Sequence, residues 1–277
     1  MYKYSYKRIL SGIVAILIIL AASQNNFRAA AQSTEVGYSW FCVHAKDHKR
    51  PDLDGSLSWI TDEKYGAYYI DPNCSDDENA PRRVLYLTFD VGYENGNVAK
   101  VLDTLKEKKV PGAFFVLSHV IEKETPLIQR MFDEGHLVCN HTAHHKDMSK
   151  ITDQNAFAEE LKALDVLCFE KTGRHLSSYY RPPEGRFSRS NLEWAKEMGY
   201  KTIFWSFGYA DWDNNRQPSP ETALEKIMSN VHNGAIILLH PTSATNAQIL
   251  GDVIDRCQAL GYRFETLDAL TVADKDA

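Results

Sequence analysis

The chain has 277 residues, a formal net charge of −6, 44% hydrophobic residues and 25% charged residues. Those figures fit one large domain, or one domain with an extension, with apolar content enough for a sizeable core. The acidic balance argues against the basic face that a nucleic-acid binder needs, so no nucleic-acid partner is expected.

Lys3, Lys7 and Arg8 form a basic start, Ile9 to Ala22 is apolar, and Ala29-Ala30-Ala31 offers a small-x-small cleavage pattern. Together they predict a secretory signal peptide over 1–31. The apolar run falls short of the ~20 residues of a spanning helix, which favours cleavage over a retained anchor. The folded part is therefore expected outside the cytoplasm, secreted or held at the cell envelope, with the membrane a partner only if the leader stays. Five cysteines are present. An odd number argues against a full disulfide framework. Cys42 and Cys74 could pair in an oxidising compartment, whereas Cys139, Cys168 and Cys257 sit in apolar contexts that suit buried thiols.

Residues 32–81 are rich in Tyr, Trp, Asp and Pro with little periodicity, and are expected to form an extension of short or irregular elements. Loop residues between Asp71 and Pro81 place a boundary there, with one barrel domain over 82–277. From Arg82 onward short apolar runs alternate with helical ones. The expected strands are Val84–Phe89, Ala113–Leu117, Leu137–Cys139, Ser178–Arg181, Thr202–Phe204, Ala235–Leu239 and Tyr262–Glu265. The expected helices are Val98–Lys108, Leu127–Glu134 capped by Thr125-Pro126, Asp153–Lys171, Asn191–Met198 after Ser188, Thr222–Val231 after Ser219-Pro220, and Asn246–Leu260. Such alternation implies βα units around a parallel sheet, closed or nearly closed, in the α/β class. No Gly-x-Gly-x-x-Gly follows the first strand, which removes the usual dinucleotide signature.

Polar residues end several of these strands. Val84–Phe89 runs into Asp90, and Gly92 to Gly96 then turns the chain. His141 and His145 follow the third strand, four residues apart. On a helical turn both imidazoles would share one face and could share one cation, or one of them could be a structural histidine. Arg181 is locked by Pro182-Pro183, either to steer a carboxylate such as Asp90 or as a solvated surface residue. Asp211-Trp212 follows the fifth strand. His240 ends the sixth, a place more often structural unless other catalytic candidates meet it there.

As a set, these stretches resemble the polysaccharide deacetylases of carbohydrate esterase family four. That family has a Thr-Phe-Asp-Asp-Gly stretch, a His-(Ser/Thr)-x-x-His stretch, an Arg-x-Pro-x-Gly stretch, an Asp-Trp stretch and a Leu-x-His stretch. Here they read Thr88–Gly92, His141–His145, Arg181–Gly185, Asp211-Trp212 and Leu238–His240, in the same order, within a resemblance spanning Arg82 to about Leu270. Tyr93-Glu94-Asn95-Gly96, Pro182 to Ser188, Phe204-Trp205-Ser206, and His240 with Ser243 and Asn246-Ala247 are similar to the delta-lactam-biosynthetic de-N-acetylases of spore cortex peptidoglycan.

The resemblance implies a distorted (β/α)7 barrel with an N-terminal extension. It implies a monomeric hydrolase on peptidoglycan glycan strands that removes acetyl from N-acetylmuramic acid, freeing an amine to close a lactam. In its terms Asp90 is the general base, Arg181 holds Asp90, and Asp211 tunes His240, the general acid. His141 and His145 bind a divalent metal ion, expected to be zinc. Trp212 and Leu238 line the acetyl pocket, and the Glu184 N–H supports the oxyanion. Tyr93, Glu184 and Arg186 join Trp212 and Leu238 in the expected substrate-binding set. Two departures stand out. Val91 replaces a metal-binding aspartate, implying a weakened site completed by water, substrate or Asp90. Glu184 stands where a basic residue would meet the lactyl carboxylate, a task Arg186 or Lys146 could take over. The competing readings are a deacetylase of another N- or O-acetylated polysaccharide, and a carbohydrate-binding pseudoenzyme that lost its metal with Val91.

Overall fold

The computed structural model describes residues 35–271 except 46 and 78. The leader expected over 1–31 lies outside the described residues. From Gly37 onward the chain gathers into one compact unit. Among the described residues no helix is long and apolar enough to cross a membrane.

In chain order the strands and helices are β1 Tyr38–Ser39, β2 Ala67–Tyr68, β3 Val84–Val91, α1 Asn97–Lys108, β4 Ala113–Val116, α2 Ser118–Lys123, α3 Thr125–Asp133 and β5 Leu137–Asn140. Then come α4 Gln154–Thr172, β6 Ser177–Tyr180, β7 Arg186–Phe187, α5 Arg189–Glu197, β8 Lys201–Ile203, β9 Phe207–Gly208, α6 Pro220–Asn230, β10 Ala235–Leu239, α7 Ala244–Ala259 and β11 Arg263–Phe264. The main sheet runs β2-β8-β6-β5-β4-β3-β10-β9. Its ladders are parallel, as βα units require.

The sheet curls until it meets itself. The segment 201–208 pairs with β6 at its start, through Thr202 and Tyr180, and with β10 at its end, through Phe207 and Ile237. Three residues between those pairings break the strand and distort the barrel. β11 sits beside Val84 and Leu85 of β3, below the point where β4 joins the same edge at Thr88. This is the α/β distorted (β/α)7 barrel that the alternation and the resemblance imply.

Alternation along each strand sorts the core into two parts. Val84, Tyr86, Ala113, Phe115, Cys139, Tyr179, Ile203 and Ile236 point inward and fill the barrel base. Leu85, Leu87, Phe89, Val91, Phe114, Val116 and Val138 point outward and pack under the helices. β3 is buried along its whole length because both of its faces are covered. The helices start where short polar side chains accept backbone hydrogens. Asp153 takes Ala156 N–H, Ser219 takes Thr222 N–H, and Ser243 takes Asn246 N–H. Ser188 and Asn191 form a reciprocal capping box. Thr125 is a different case. It is the first helical residue of α3, and its hydroxyl donates to the Ile121 carbonyl at 2.7 Å, tying α3 to the preceding short α2.

The stretch before β3 contributes to this same unit. Its residues form two 3-10 turns, Gly55–Thr61 and Glu63–Tyr65, and β2 extends the sheet beside β8. Trp40, Leu57, Ile60 and Tyr65 pack on Phe187, Leu192 and Phe204. Cys42 and Cys74 do not pair: both are free thiols. Cys74 is buried at the barrel base with Val84 and Tyr86, while Cys42 lies against the Gly208 backbone, so the two serve different neighbourhoods.

One polar knot joins this stretch to the barrel. Asp71, fully buried, accepts from Tyr86 Oη and from Arg82 Nη2 at 3.2 Å, and Arg82 also reaches Glu265 at 3.1 Å. Removing the Asp71 carboxylate strips a largely buried cation of one partner. Asp71→Ala should cost about 2–3 kcal/mol, at or below the low end for a broken buried pair because Arg82 keeps Glu265. Urea denaturation should show this as a lower midpoint at unchanged slope.

Candidate active site

The inward register that fills the base with apolar side chains continues to the C-terminal ends of the strands, where it delivers polar ones. Above Tyr86 in β3 come Thr88 and Asp90; past Cys139 comes His141; past Tyr179 comes Arg181; past Ile236 come Leu238 and His240. This is the end of a parallel barrel at which functional residues gather. Asp90, His141, His145, Leu238 and His240 line one cavity of about 620 Å³, together with Tyr93, Leu117, Glu184, Trp205, Trp212 and Thr242.

Arg181 lies beneath that cavity and is fully buried. Its Nη1 donates to Asp90 Oδ1 at 2.8 Å, its Nη2 to Thr88 Oγ1 at 2.8 Å, and its Nε to the Ile203 carbonyl at 2.9 Å. The guanidinium sits over the Phe115 ring at 4.2 Å from its centroid and 5.7 Å from that of Trp205. Burial raises the Asp90 pKa, but the charges of Arg181, His141 and His240 together outweigh it and hold the carboxyl below its ordinary range. Asp90 is therefore ionised at neutral pH, with Oδ1 engaged and Oδ2 at 3.6 Å from His141 Nε2.

His141 Nδ1 lies 2.9 Å from the Arg181 carbonyl. A carbonyl only accepts, so Nδ1 carries the hydrogen and Nε2 the lone pair. Burial, with His145 nearby, pulls the His141 pKa down to about 4 against the pull of Asp90, so the ring is neutral. The His145 ring stands 5.2 Å away, nearly perpendicular. The two do not meet on a helical turn, as spacing alone suggested. Residues 141–147 are not helical, and Thr142 and His145 have φ of 71° and 54°. Left-handed backbone at a non-glycine residue costs on the order of 1–3 kcal/mol, so neighbouring contacts must hold it.

Two imidazoles beside a free carboxylate oxygen, one with its tautomer set by a carbonyl, suit a divalent cation. Among the described residues no group of three or more histidines, cysteines or acids is arranged to hold a metal. Val91 explains part of this. β3 extends through Val91, so alternation turns this side chain outward into the helix-side core, fully buried beside Val116. Any ion here would rest on His141 and His145, with the remaining positions taken by water, substrate or Asp90.

Asp211 and His240 form a second unit. His240 Nδ1 donates to Asp211 Oδ1 at 2.7 Å, and its backbone N–H donates to Oδ2 at 2.8 Å. Asn246 Nδ2 also donates to Oδ2, at 2.6 Å. This fixes the tautomer and leaves Nε2 as the open nitrogen. Burial lowers the His240 pKa, but the Asp211 carboxylate, by hydrogen bond and charge, more than offsets it and holds the imidazole above its ordinary value.

The rim mixes expected and unexpected residues. Tyr93 and Trp212 are both exposed at the mouth, with Trp212 edge-on to His240 at 6.0 Å. Glu184 sits in left-handed backbone, φ 54°, before Gly185. Arg186 and Lys146 do not line the cavity. Arg186 pairs with Glu184 at 2.9 Å and Asp147 at 3.3 Å, and Lys146 with Glu160 at 2.6 Å. Sequence reasoning passed over Thr88, Phe115 and Asn246, which hold the candidate residues, and Leu117 and Thr242, which line the cavity. Thr88 and Asn246 lay inside the quoted stretches and could have been found there; Phe115 and Leu117 look like any strand hydrophobe.

A family model described as polysaccharide deacetylase matches residues 77–203. Peptidoglycan-N-acetylmuramic acid deacetylase PdaA of Bacillus subtilis is 39% identical over 233 residues, covering 84% of this chain and 85% of that protein. The solved structure of that PdaA, a family 4 carbohydrate esterase, superposes with a TM-score of 0.77 over 84% of this chain and 96% of the other. A family 4 carbohydrate esterase from Bacillus anthracis, 35% identical, gives 0.68 over 86% and 98%. The chain belongs to the polysaccharide deacetylases, the hydrolases of carbohydrate esterase family 4.

Proposed function

We propose that this protein removes the acetyl group from the amino sugars of peptidoglycan, with N-acetylmuramic acid on the path to the muramic delta-lactam of spore cortex as its substrate. The observation that carries the reading is one cavity lined by an ionised carboxylate and an imidazole of raised pKa, each with its own buried partner. Amide hydrolysis needs a base for water, a stabiliser for the oxyanion and a proton for the departing nitrogen.

Asp90 is the base. Arg181 occupies Oδ1, which orients the carboxylate and leaves Oδ2 to accept a proton from water. His240 is the acid, with Nε2 free to protonate the amine while Asp211 steadies the cation. The Glu184 N–H serves the oxyanion, from backbone that its left-handed φ turns away from the strand path. Trp212 and Leu238 shape the acetyl pocket, and Tyr93 and Glu184 meet the sugar, with Arg186 held against Glu184 outside the cavity. His141 and His145 would hold zinc, which when bound supplies Lewis-acid polarisation of the acetyl carbonyl and acidifies water. A glycan-strand substrate places the enzyme outside the cytoplasm, which agrees with a leader over 1–31 ahead of a barrel domain at 82–277.

The outward-facing Val91 also favours a second reading, a carbohydrate-binding protein without catalysis. Mass analysis of muropeptides separates the two. The enzyme should remove one acetyl, or acetyl plus water where the lactam closes, and Asp90→Asn should lower kcat by at least about 10²–10⁴-fold with the fold intact. Intact glycans after incubation with the wild-type protein would favour binding alone.

Chelation should abolish acetate release and Zn2+ should restore it, with His145→Ala needing more Zn2+. Full activity in chelator would refute metal assistance. The pH profile tests the acid. His240 must carry its proton, so kcat/KM should fall as pH rises through its pKa, which lies above the ordinary histidine value. Asp211→Asn removes the charge but not the burial, so the alkaline limb should move to lower pH. A limb that stays put would argue against His240.

A further inference from the structure

Glu160 lies on α4, outside the barrel, yet it is almost fully buried, at 4% exposure. A buried carboxylate needs partners to compensate its desolvation, and all those of Glu160 come from the loop carrying the two imidazoles. The His144 N–H donates to Oε2 at 3.1 Å, His144 Nδ1 lies 3.0 Å from Oε1, and Lys146 Nζ lies 2.6 Å from Oε1. The Glu160 backbone carbonyl accepts the Ala143 N–H at 3.0 Å. These contacts bracket His145 on both sides. Asn140 and Thr142 hold the remainder: Thr142 N–H donates to Asn140 Oδ1 at 2.9 Å, and His145 N–H to Thr142 Oγ1 at 3.1 Å. Asn140 in turn donates to the Leu161 carbonyl, again on α4, at 2.9 Å.

We propose that Glu160 is a positioning residue for the divalent-ion site: by gripping residues 143–146 it holds His145, in its left-handed backbone, facing His141. This rests on the proposed role of the two imidazoles. The exposed His145 makes no side-chain hydrogen bond of its own among the described contacts, so its place follows from the loop backbone. With Val91 turned away and Asp90 Oδ1 already engaged by Arg181, the two histidines carry most of the site, and its affinity depends on prior order of the loop.

The test is Zn2+ binding to the metal-stripped full chain by calorimetry, with thermal unfolding measured alongside. Wild type should bind, and His145→Ala should bind much more weakly. Glu160→Ala should weaken Zn2+ about 10–100-fold. Glu160→Gln, which keeps the size and one acceptor oxygen, should fall between, and serves if the alanine variant does not fold. A merely structural Glu160 would lower the melting temperature and leave the dissociation constant alone. Unchanged Zn2+ affinity in a folded Glu160 variant, while His145→Ala still loses it, overturns the proposal and spares the two-histidine reading. Equal binding by wild type and His145→Ala, or none by either, overturns both.

Discussion

The buried pair between Arg181 and Asp90 is the constraint around which the barrel top is built. A guanidinium with no solvent exposure is costly unless its donors find acceptors in good geometry. Here β3 contributes Asp90 and Thr88, β4 the Phe115 ring, and the end of β8 the carbonyls of Ile203 and Phe204. Those two carbonyls lie where segment 201–208 leaves β6 to join β10. The distortion of the barrel and the burial of the cation are thus one arrangement: the break in the ladder frees carbonyls, and Arg181 fills them. Replacing Arg181 with lysine would keep the charge and lose the fork that reaches several acceptors at once.

The same pair sets the electrostatics of the cavity. Asp90 and His240 share one cavity, yet their pKa values move apart, the carboxyl down and the imidazole up. Each movement has a different buried partner, Arg181 for one and Asp211 for the other. A carboxyl moved down and an imidazole moved up is the separation that a base and an acid in a single reaction require. His141 goes the other way from His240, down to about 4, because burial penalises its charged form and no carboxylate accepts from its Nδ1, which meets only the Arg181 carbonyl. A neutral ring with its lone pair exposed suits a ligand, not an acid.

Much of this was legible in the residues themselves. The seven strand expectations fall on β3 to β6, β8, β10 and β11, because apolar runs bounded by glycine and capping residues leave few alternatives. Asp90, Arg181 and His240 were readable as strand-ending polar groups. What sequence could not carry was local backbone set by distant contacts. The loop at 141–145 has helical spacing but is held open by α4, and left-handed φ at Thr142 and His145 has no residue signature as glycine would give. The outward turn of Val91 depended on β3 running one residue past Asp90. β1, β7 and β9 are two-residue strands whose existence follows from pairing, not from propensity. The Glu184–Arg186 contact likewise joins two residues whose roles at the sugar had been read separately.

The segment before β3 acquires a purpose from the same geometry. β1 pairs antiparallel with β7, which brings Trp40 against the loop that carries Glu184. The Trp40 N–H donates to the Gly185 carbonyl at 2.8 Å, and its Nε1 donates to the Trp205 carbonyl at 3.0 Å. Gly185 has φ 65°, and a Cβ there would meet Trp40 Cβ at 2.8 Å, so the fit leaves no room for another residue. Glu184 and Trp205 both line the cavity, and one tryptophan from outside the matched family segment of 77–203 braces the chain at both. Left-handed backbone at Glu184 persists only where surrounding contacts over-determine it. The strap from 37 to 40 supplies those contacts, so the cavity wall is finished by residues that precede the barrel, and the βα repeat alone would leave that wall unsupported.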